Sequence, residues 1–295
     1  MRRILFVSLM IVTLLLAACG STPEPTQILE AKPTEAPTSD SSAEGKLSLA
    51  GSTTVQPLAE VLSEAYMEMN PNLVIEVQGG GSSVGVTSAG EGTVDIGMAS
   101  RAIKSSEFEK LPDLQVFTIA RDGIAIVTNP GTELPSLSVE QVRNIFAGEI
   151  TNFLEVGGSN ALIIVVSREE GSGTRAAFEE MVMEYKDESG EKQSKLITEN
   201  ALLQQSNGQV RTTVSTTPNT IGYISFGFLD DSTAPVTIDG VEPTVDNVKN
   251  NSYTIARPLN MLTKGAPNEL AQVYLDFVLS DAGQTIVAED YISVE

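Results

Sequence analysis

The chain has 295 residues, 41% of them apolar, which is enough for about two domains with real cores. Its net charge of −21 argues against nucleic acid and anionic lipid as partners; exposed charges are screened beyond about 8 Å at physiological salt, so an anion inside a dry cleft is still allowed. With no histidine and one cysteine, Cys19, the chain has no intrachain disulfide, no ordinary zinc ligands and no serine–histidine–aspartate triad.

Residues 1–19, MRRILFVSLMIVTLLLAAC, read as a secretory signal: two arginines, an apolar run, then small residues. The run Ile4–Leu16 is shorter than the roughly 20 residues of a membrane-spanning helix. Leu16-Ala17-Ala18-Cys19 resembles a bacterial lipobox, in which Cys19 is lipidated and becomes the new N-terminus. Cleavage there removes two positive charges, Arg2 and Arg3, and takes −21 to −23. Residues 20–45 carry four prolines and no aromatic residue, and read as a disordered tether. The folded part is expected to begin near Lys46, outside the cytoplasm and anchored to the cell membrane through Cys19.

From there, short apolar strands lead repeatedly into Gly/Ser/Thr turns and amphipathic helices. Leu47–Ala50 runs into GSTT and a helix to about Met69, with Leu58, Val61, Leu62 and Ala65 at spacings of three and four. Val74–Val77 runs into QGGGSSVG, and Val94–Met98 into ASRAIKSSEFEKL. Val116–Ala120 and Gly123–Thr128 flank Arg121-Asp122. Ser138 and Gln141 form a capping box for a helix that Gly148 closes. Leu162–Val166 runs into SREEGSGTRAAFEE and a helix to about Tyr185, followed by a polar excursion over 186–194. A helix over 209–215, a strand over 220–226 and a last helix over 269–279 complete the pattern. Alternating strands and helices give an α/β fold in layers. Segments near 119–128 and 219–226 are candidate crossings between two lobes: lobe 1 from 46–120 plus 227–295, lobe 2 from 121–226.

A helix start carries unpaired N–H groups and partial positive charge; glycines let an anion approach, and Ser or Thr add hydroxyl donors. The stretch Ser172-Gly173-Thr174 does this, and Arg168 supplies a planar fork for an oxyanion. GSTT (Gly51–Thr54), Gly81-Ser82-Ser83 and Ser100-Arg101 repeat the arrangement at three other strand ends. One such loop alone is ordinary helix capping. Four of them amount to roughly a dozen donors, ample for a tetrahedral oxyanion. GSSVG (Gly81–Gly85) matches a hydrolase elbow, but without histidine only a Ser83–Lys104 dyad would be available. No Walker A or GxGxxG sequence is present, and no metal or cofactor is expected.

At these residues the chain resembles the PstS-type phosphate-binding proteins, the solute receptors of phosphate ABC transporters. The matching pieces are AGSTTVQPLAE, GGGSSVGVTSAGEGTVDIGMASRAIK, FTIARDGIAIVTNP, SVEQVRNIFAGEITNF, SREEGSGTRAAFEE and TPNTIGYISFGFL, in family order over nearly all of 46–295. The resemblance implies a two-lobe type II periplasmic-binding-protein fold that closes over phosphate, no enzymatic activity, a monomer, and permease subunits as partners. Carried over by motif, it implies phosphate ligands at Thr53, Thr54, Ser82, Ser100, Arg168, Ser172, Gly173 and Thr174, with Ser83 as a helix cap. Relatives have an aspartate after the serine that matches Ser100, where it accepts the phosphate proton; this chain has Arg101 there. Asp122 is the substitute acceptor of choice, with Glu169 and Glu170 as alternatives, while Arg101 is expected to pair with a carboxylate and Asp95 to be structural. Other readings are a receptor for sulfate, molybdate or tungstate, a secreted serine hydrolase, and a surface adhesin.

Overall fold

The computed structural model of the protein describes residues 43–294, so the signal segment, Cys19 and most of the tether lie outside the described residues. In chain order the elements are β1 (Gly45–Gly51), α1 (Val55–Met69), β2 (Leu73–Gly79), α2 (Ser82–Glu91), β3 (Ile96–Ala99), α3 (Ser105–Lys110) and β4 (Leu114–Thr128). Then come α4 (Val139–Ala147), β5 (Ile164–Arg168), α5 (Gly173–Phe178), β6 (Glu184–Lys186), β7 (Lys192–Ser194), β8 (Leu202–Gln204), α6 (Asn207–Thr216) and β9 (Thr220–Ser225). The chain finishes with β10 (Ala234–Pro235), α7 (Val245–Lys249), β11 (Ala256–Lys264), α8 (Glu269–Val278) and α9 (Asp281–Asp290). β1 starts slightly before the expected boundary, and Ala43 N already donates to Asn70 Oδ1 at 2.8 Å.

One curled, mixed sheet runs β2-β1-β3-β11-β4-β9-β5-β8, with β10 beside β4. β1 pairs in parallel with β2 and β3, and β5 in parallel with β8 and β9. The antiparallel strands β4 and β11 join the two parallel halves. Each half has its own core. Leu47, Leu49, Leu62, Ile96, Met98, Ile119, Leu259 and Tyr274 form the first. Ile124, Ile126, Phe146, Phe153, Phe178, Tyr223 and Ile224 form the second. Burying such side chains contributes roughly 1.5–3 kcal/mol each.

β4 is one continuous 15-residue strand whose residues change core between Ala120 and Ile124. The return crossing is not β9, which lies wholly within the second core; it is the entry to β11, where Ile255 packs in the second core and Leu259 in the first. The boundary at 227 also needs correction. Val236, Ile238, Val248, Tyr253 and Ile255 pack in the second core. The reason is that the chain after β9 pairs back onto β4: Val236 N donates to Ile126 O at 2.8 Å, and Tyr253 Oη to Ile124 O at 2.8 Å.

Local signals place the remaining elements well. Ser138 caps α4 with Gln141 completing the box, and Gly148 ends it at φ 75°. Residues 179–183 continue α5 as a π-turn, and the polar excursion is the small β6–β7 hairpin. The short elements β8, β10 and α7 escape the sequence reading, and so do two longer ones. In β11, Pro258 and Asn260 interrupt the apolar run; Pro258 is tolerated because it precedes the part of the strand that pairs with β3 and has only β4 beside it, and a register shift follows between Leu259 and Asn260. In α9, Gly283 breaks the helical pattern, although Ser280 caps the helix by accepting from Gly283 N.

Candidate functional site

The C-terminal ends of β1, β2, β3 and β5 meet, so the four hydroxyl-bearing loops converge. Ser52 Oγ donates to Ser100 Oγ at 2.9 Å, and Ser82 Oγ accepts from Ser100 N at 3.0 Å. Ser83 N donates to Gly171 O at 3.1 Å, stitching the α2 start to the β5 loop. Gly173 packs against Ser82 and Ser100 so closely that a Cβ there would lie 2.1 Å from Ser82 Oγ. Thr54 Oγ1 and Thr174 Oγ1 are 3.0 Å apart, both buried. Ser172 sits at the same loop, where its Oγ caps α5 by accepting from Arg175 N at 3.2 Å.

Arg168 is 1% exposed and lies at the edge of this hydroxyl cluster. Its Nε and Nη2 donate to the two Glu169 oxygens at 2.8 and 2.9 Å, and Nη2 also reaches Thr53 Oγ1 at 3.1 Å. Nη1 is left facing Thr174 Oγ1 at 3.5 Å. Tyr223 fixes the strand beneath: its phenol accepts from Arg168 N at 3.2 Å and pairs with Ser167 Oγ at 2.8 Å, while its ring stacks on Phe178 at 4.2 Å. Burial pushes that phenol up to about 12, so it is neutral at physiological pH.

Asp122 lies beside the cluster, but not as an open acceptor. Its Oδ1 accepts from Ser225 Oγ at 3.0 Å and Phe226 N at 3.2 Å; its Oδ2 accepts from Arg257 Nε at 3.2 Å and Nη2 at 3.0 Å. Complete burial pushes the Asp122 carboxyl above its ordinary range and the Arg257 guanidinium below its own; their mutual attraction opposes both shifts. Removing one partner of such a pair strands a buried charge, at about 3–5 kcal/mol. Arg257 Nη2 goes on to Thr54 Oγ1 at 3.2 Å, which Asn207 Nδ2 also reaches at 2.8 Å.

A family model described as a PBP superfamily domain matches residues 33–282. The phosphate-binding protein PstS of Bacillus subtilis is 33% identical over 281 residues, 94% of this chain and 89% of that one. The chain belongs to the PstS phosphate-binding proteins of the PBP superfamily. Two solved structures are similar in fold and sequence. A phosphate ABC transporter substrate-binding protein from Clostridium perfringens, with bound phosphate, is 41% identical over 85% of this chain and 100% of its own, with TM-score 0.78. An ABC-type phosphate transport receptor from Vibrio cholerae is 33% identical over 83% and 99%, with TM-score 0.68. The curled sheet is the expected type II periplasmic-binding-protein fold.

As a member of the PstS family the chain is a solute receptor and not an enzyme. The elbow-like serine agrees: Ser83 Oγ lies 3.5 Å from Arg101 Nη2, a cation rather than a base, and Lys104 is exposed. Arg101 occupies the departure from the PstS pattern and pairs with Glu107 at 2.8 and 2.7 Å. Burial works against the charged Glu107, but the hydrogen bonds from Arg101 and Lys104 N hold its carboxyl below the usual range. Asp95 is structural: it accepts from Ser48 N at 2.9 Å and from Asn268 Nδ2 at 2.9 Å. Of the two glutamates, Glu169 reaches the cluster through Arg168, while Glu170 is exposed. Sequence reasoning missed Ser52, Asn207 and Arg257. Ser52 stands in the quoted GSTT loop, and Arg257 interrupts an apolar stretch as Asp122 does; both signals were available. Nothing local to Asn207 points to the site.

Proposed function

We propose that this chain is an extracytoplasmic receptor that binds inorganic phosphate between two lobes and delivers it to the permease of an ABC transporter. The carrying observation is that loops from four strand ends, those of β1, β2 and β3 in one half of the sheet and that of β5 in the other, bring Thr53, Thr54, Ser82, Ser100, Gly173 and Thr174 to one place beside the Arg168 fork. Ser172 shapes the last of these loops. The lobes in this reading follow the two cores, with crossings at 120–124 and 255–259. The relatives are phosphate-binding by name, and one is solved with phosphate bound.

With Asp122 committed to Arg257, Glu169 is the carboxylate we assign to the phosphate proton. Its Oε1 lies 3.7 Å from where a Gly81 Cβ would stand, at the mouth of the second loop. Sulfate has no proton to offer and would face that charge unshared. Calorimetry on protein stripped of bound anion tests this: phosphate and arsenate should bind, with sulfate weaker by about tenfold or more, from a mismatch of roughly 1–3 kcal/mol. Sulfate binding as tight as phosphate would replace the reading with a general oxyanion receptor.

The membrane attachment rests on the lipobox and the tether. Among the described residues no helix is long and apolar enough to cross a membrane. Cys19→Ala should therefore release the protein from the membrane fraction on fractionation of cells, and a variant that stays bound there would show that Cys19 is not the anchor.

A further inference from the structure

Arg257 is buried where β11 begins, between the two cores, and the resemblance to known receptors assigns it no part in binding. We propose that Arg257 is a second cationic ligand for the bound anion, held in position by Asp122, so that guanidinium groups from β5 and β11 grip it together. The inference rests on the phosphate-receptor reading.

Arg257 is 3% exposed, yet its Nη1 has no hydrogen-bond partner. A buried guanidinium carries five donors and normally satisfies them, because a desolvated N–H without an acceptor is unfavourable. Planarity decides which way the free donor faces. Nε and Nη2 form one edge of the guanidinium, and that edge meets Asp122 Oδ2 at 3.2 and 3.0 Å. The other Nη2 hydrogen shares the fork end with a hydrogen of Nη1, and Nη2 also contacts Thr54 Oγ1 at 3.2 Å. The fork end, with Nη1, is therefore turned to the Thr54 side.

Thr54 is the hydroxyl that touches Thr174 at 3.0 Å, and Thr174 faces Arg168 Nη1 at 3.5 Å. Two buried cations thus each touch one member of a pair of threonine hydroxyls, Arg257 at Thr54 and Arg168 at Thr174, each with an Nη1 donor in poor use or none. Each guanidinium is already paired along its Nε–Nη2 edge, Arg168 with Glu169 and Arg257 with Asp122, so the Nη1 donors are what each has left to offer an anion. Asp122 is a positioning residue here. Its two oxygens are occupied by Ser225, Phe226 N and Arg257, so it orients the fork rather than meeting the ligand.

The test is calorimetry with inorganic phosphate on the full chain, with thermal melts as a check of folding. Arg257→Gln should lower affinity about ten- to a hundredfold, the worth of a charge-assisted contact, and Arg257→Lys should restore only part of it. Should the lone charge on Asp122 unfold the first variant, Asp122→Asn/Arg257→Gln removes both charges together. Asp122→Asn alone should lower affinity, but should add no further loss in the Arg257→Gln background. A clamp with a purely structural role would lower melting temperature and leave affinity unchanged in both backgrounds. In the unaltered protein, the Arg257 side-chain N–H resonances should shift and broaden less when phosphate is added. Wild-type affinity in a folded Arg257 variant, or resonances unmoved at saturating phosphate, overturns the proposal while the receptor reading stands. A wild-type protein that binds no phosphate overturns the receptor reading instead.

Discussion

Arg168→Ala should weaken phosphate binding about ten- to a hundredfold or more, because a hydrogen bond to a charged group is worth roughly 1.5–3 kcal/mol and the arginine can offer more than one. Its surroundings add to the loss. Glu169 is held by Nε and Nη2 at 2.8 and 2.9 Å, and without the arginine it stands as an uncompensated negative charge beside the anion site. Arg168→Ala/Glu169→Gln separates the two effects: it removes that charge and with it the assigned proton acceptor, so the double variant should lose its preference for phosphate over sulfate. Arg168→Lys should recover part of the affinity, since an ammonium cannot span Glu169 and the hydroxyl cluster at once. Calorimetry measures each variant; an alanine variant with wild-type affinity would remove Arg168 from the site.

Gly173→Ala should be nearly as damaging, although it deletes nothing. An added Cβ would lie 2.1 Å from Ser82 Oγ, 2.5 Å from Ser100 Oγ and 2.9 Å from Ser82 Cβ. Those atoms have little freedom to retreat: Ser82 Oγ accepts from Ser100 N at 3.0 Å, and Ser100 Oγ is bonded by Ser52 at 2.9 Å. Overpacking of this kind costs about 1–3 kcal/mol, or roughly fivefold to a hundredfold in affinity if it falls on the ligand-bound arrangement. Gly173 begins a helix and has helical backbone, so alanine is sterically foreign only to the serines opposite. The expected signature is therefore lost phosphate affinity together with some loss of melting temperature, since the serines and the α5 start already meet in the structure described. Equal affinity in the two proteins would show that the serines and the α5 start do not meet in the bound state.

The elements that were legible in the sequence carry their instructions locally. α4 is bracketed by Ser138, Gln141 and Gly148, residues whose hydrogen bonds and backbone angles are satisfied within a few positions. β11 was not legible, because Pro258 and Asn260 spoil a pattern that only its neighbours β3 and β4 make into a strand. The extent of the second core was hidden for a related reason. Val236 and Tyr253 join it through hydrogen bonds to Ile126 and Ile124, which lie more than a hundred residues earlier.

The site divides along the same line. Glycines and hydroxyls at four strand ends, and an arginine at the end of a buried strand, are chemistry written within each loop, and they point to an oxyanion without any tertiary information. Asp122 shows where that reasoning stops. Its apolar flanks correctly mark it as buried, but what a buried carboxylate does depends on who reaches it, and Arg257 arrives from 135 residues away. Once that pair forms, the aspartate's oxygens are taken by Arg257, Ser225 and Phe226 N, which is why the proposed reading gives the phosphate proton to Glu169 instead. Composition and short motifs thus determine which groups this protein can offer to a ligand. Only the tertiary structure decides which of them are still free, because hydrogen bonds and ion pairs saturate, and their partners are chosen by the fold.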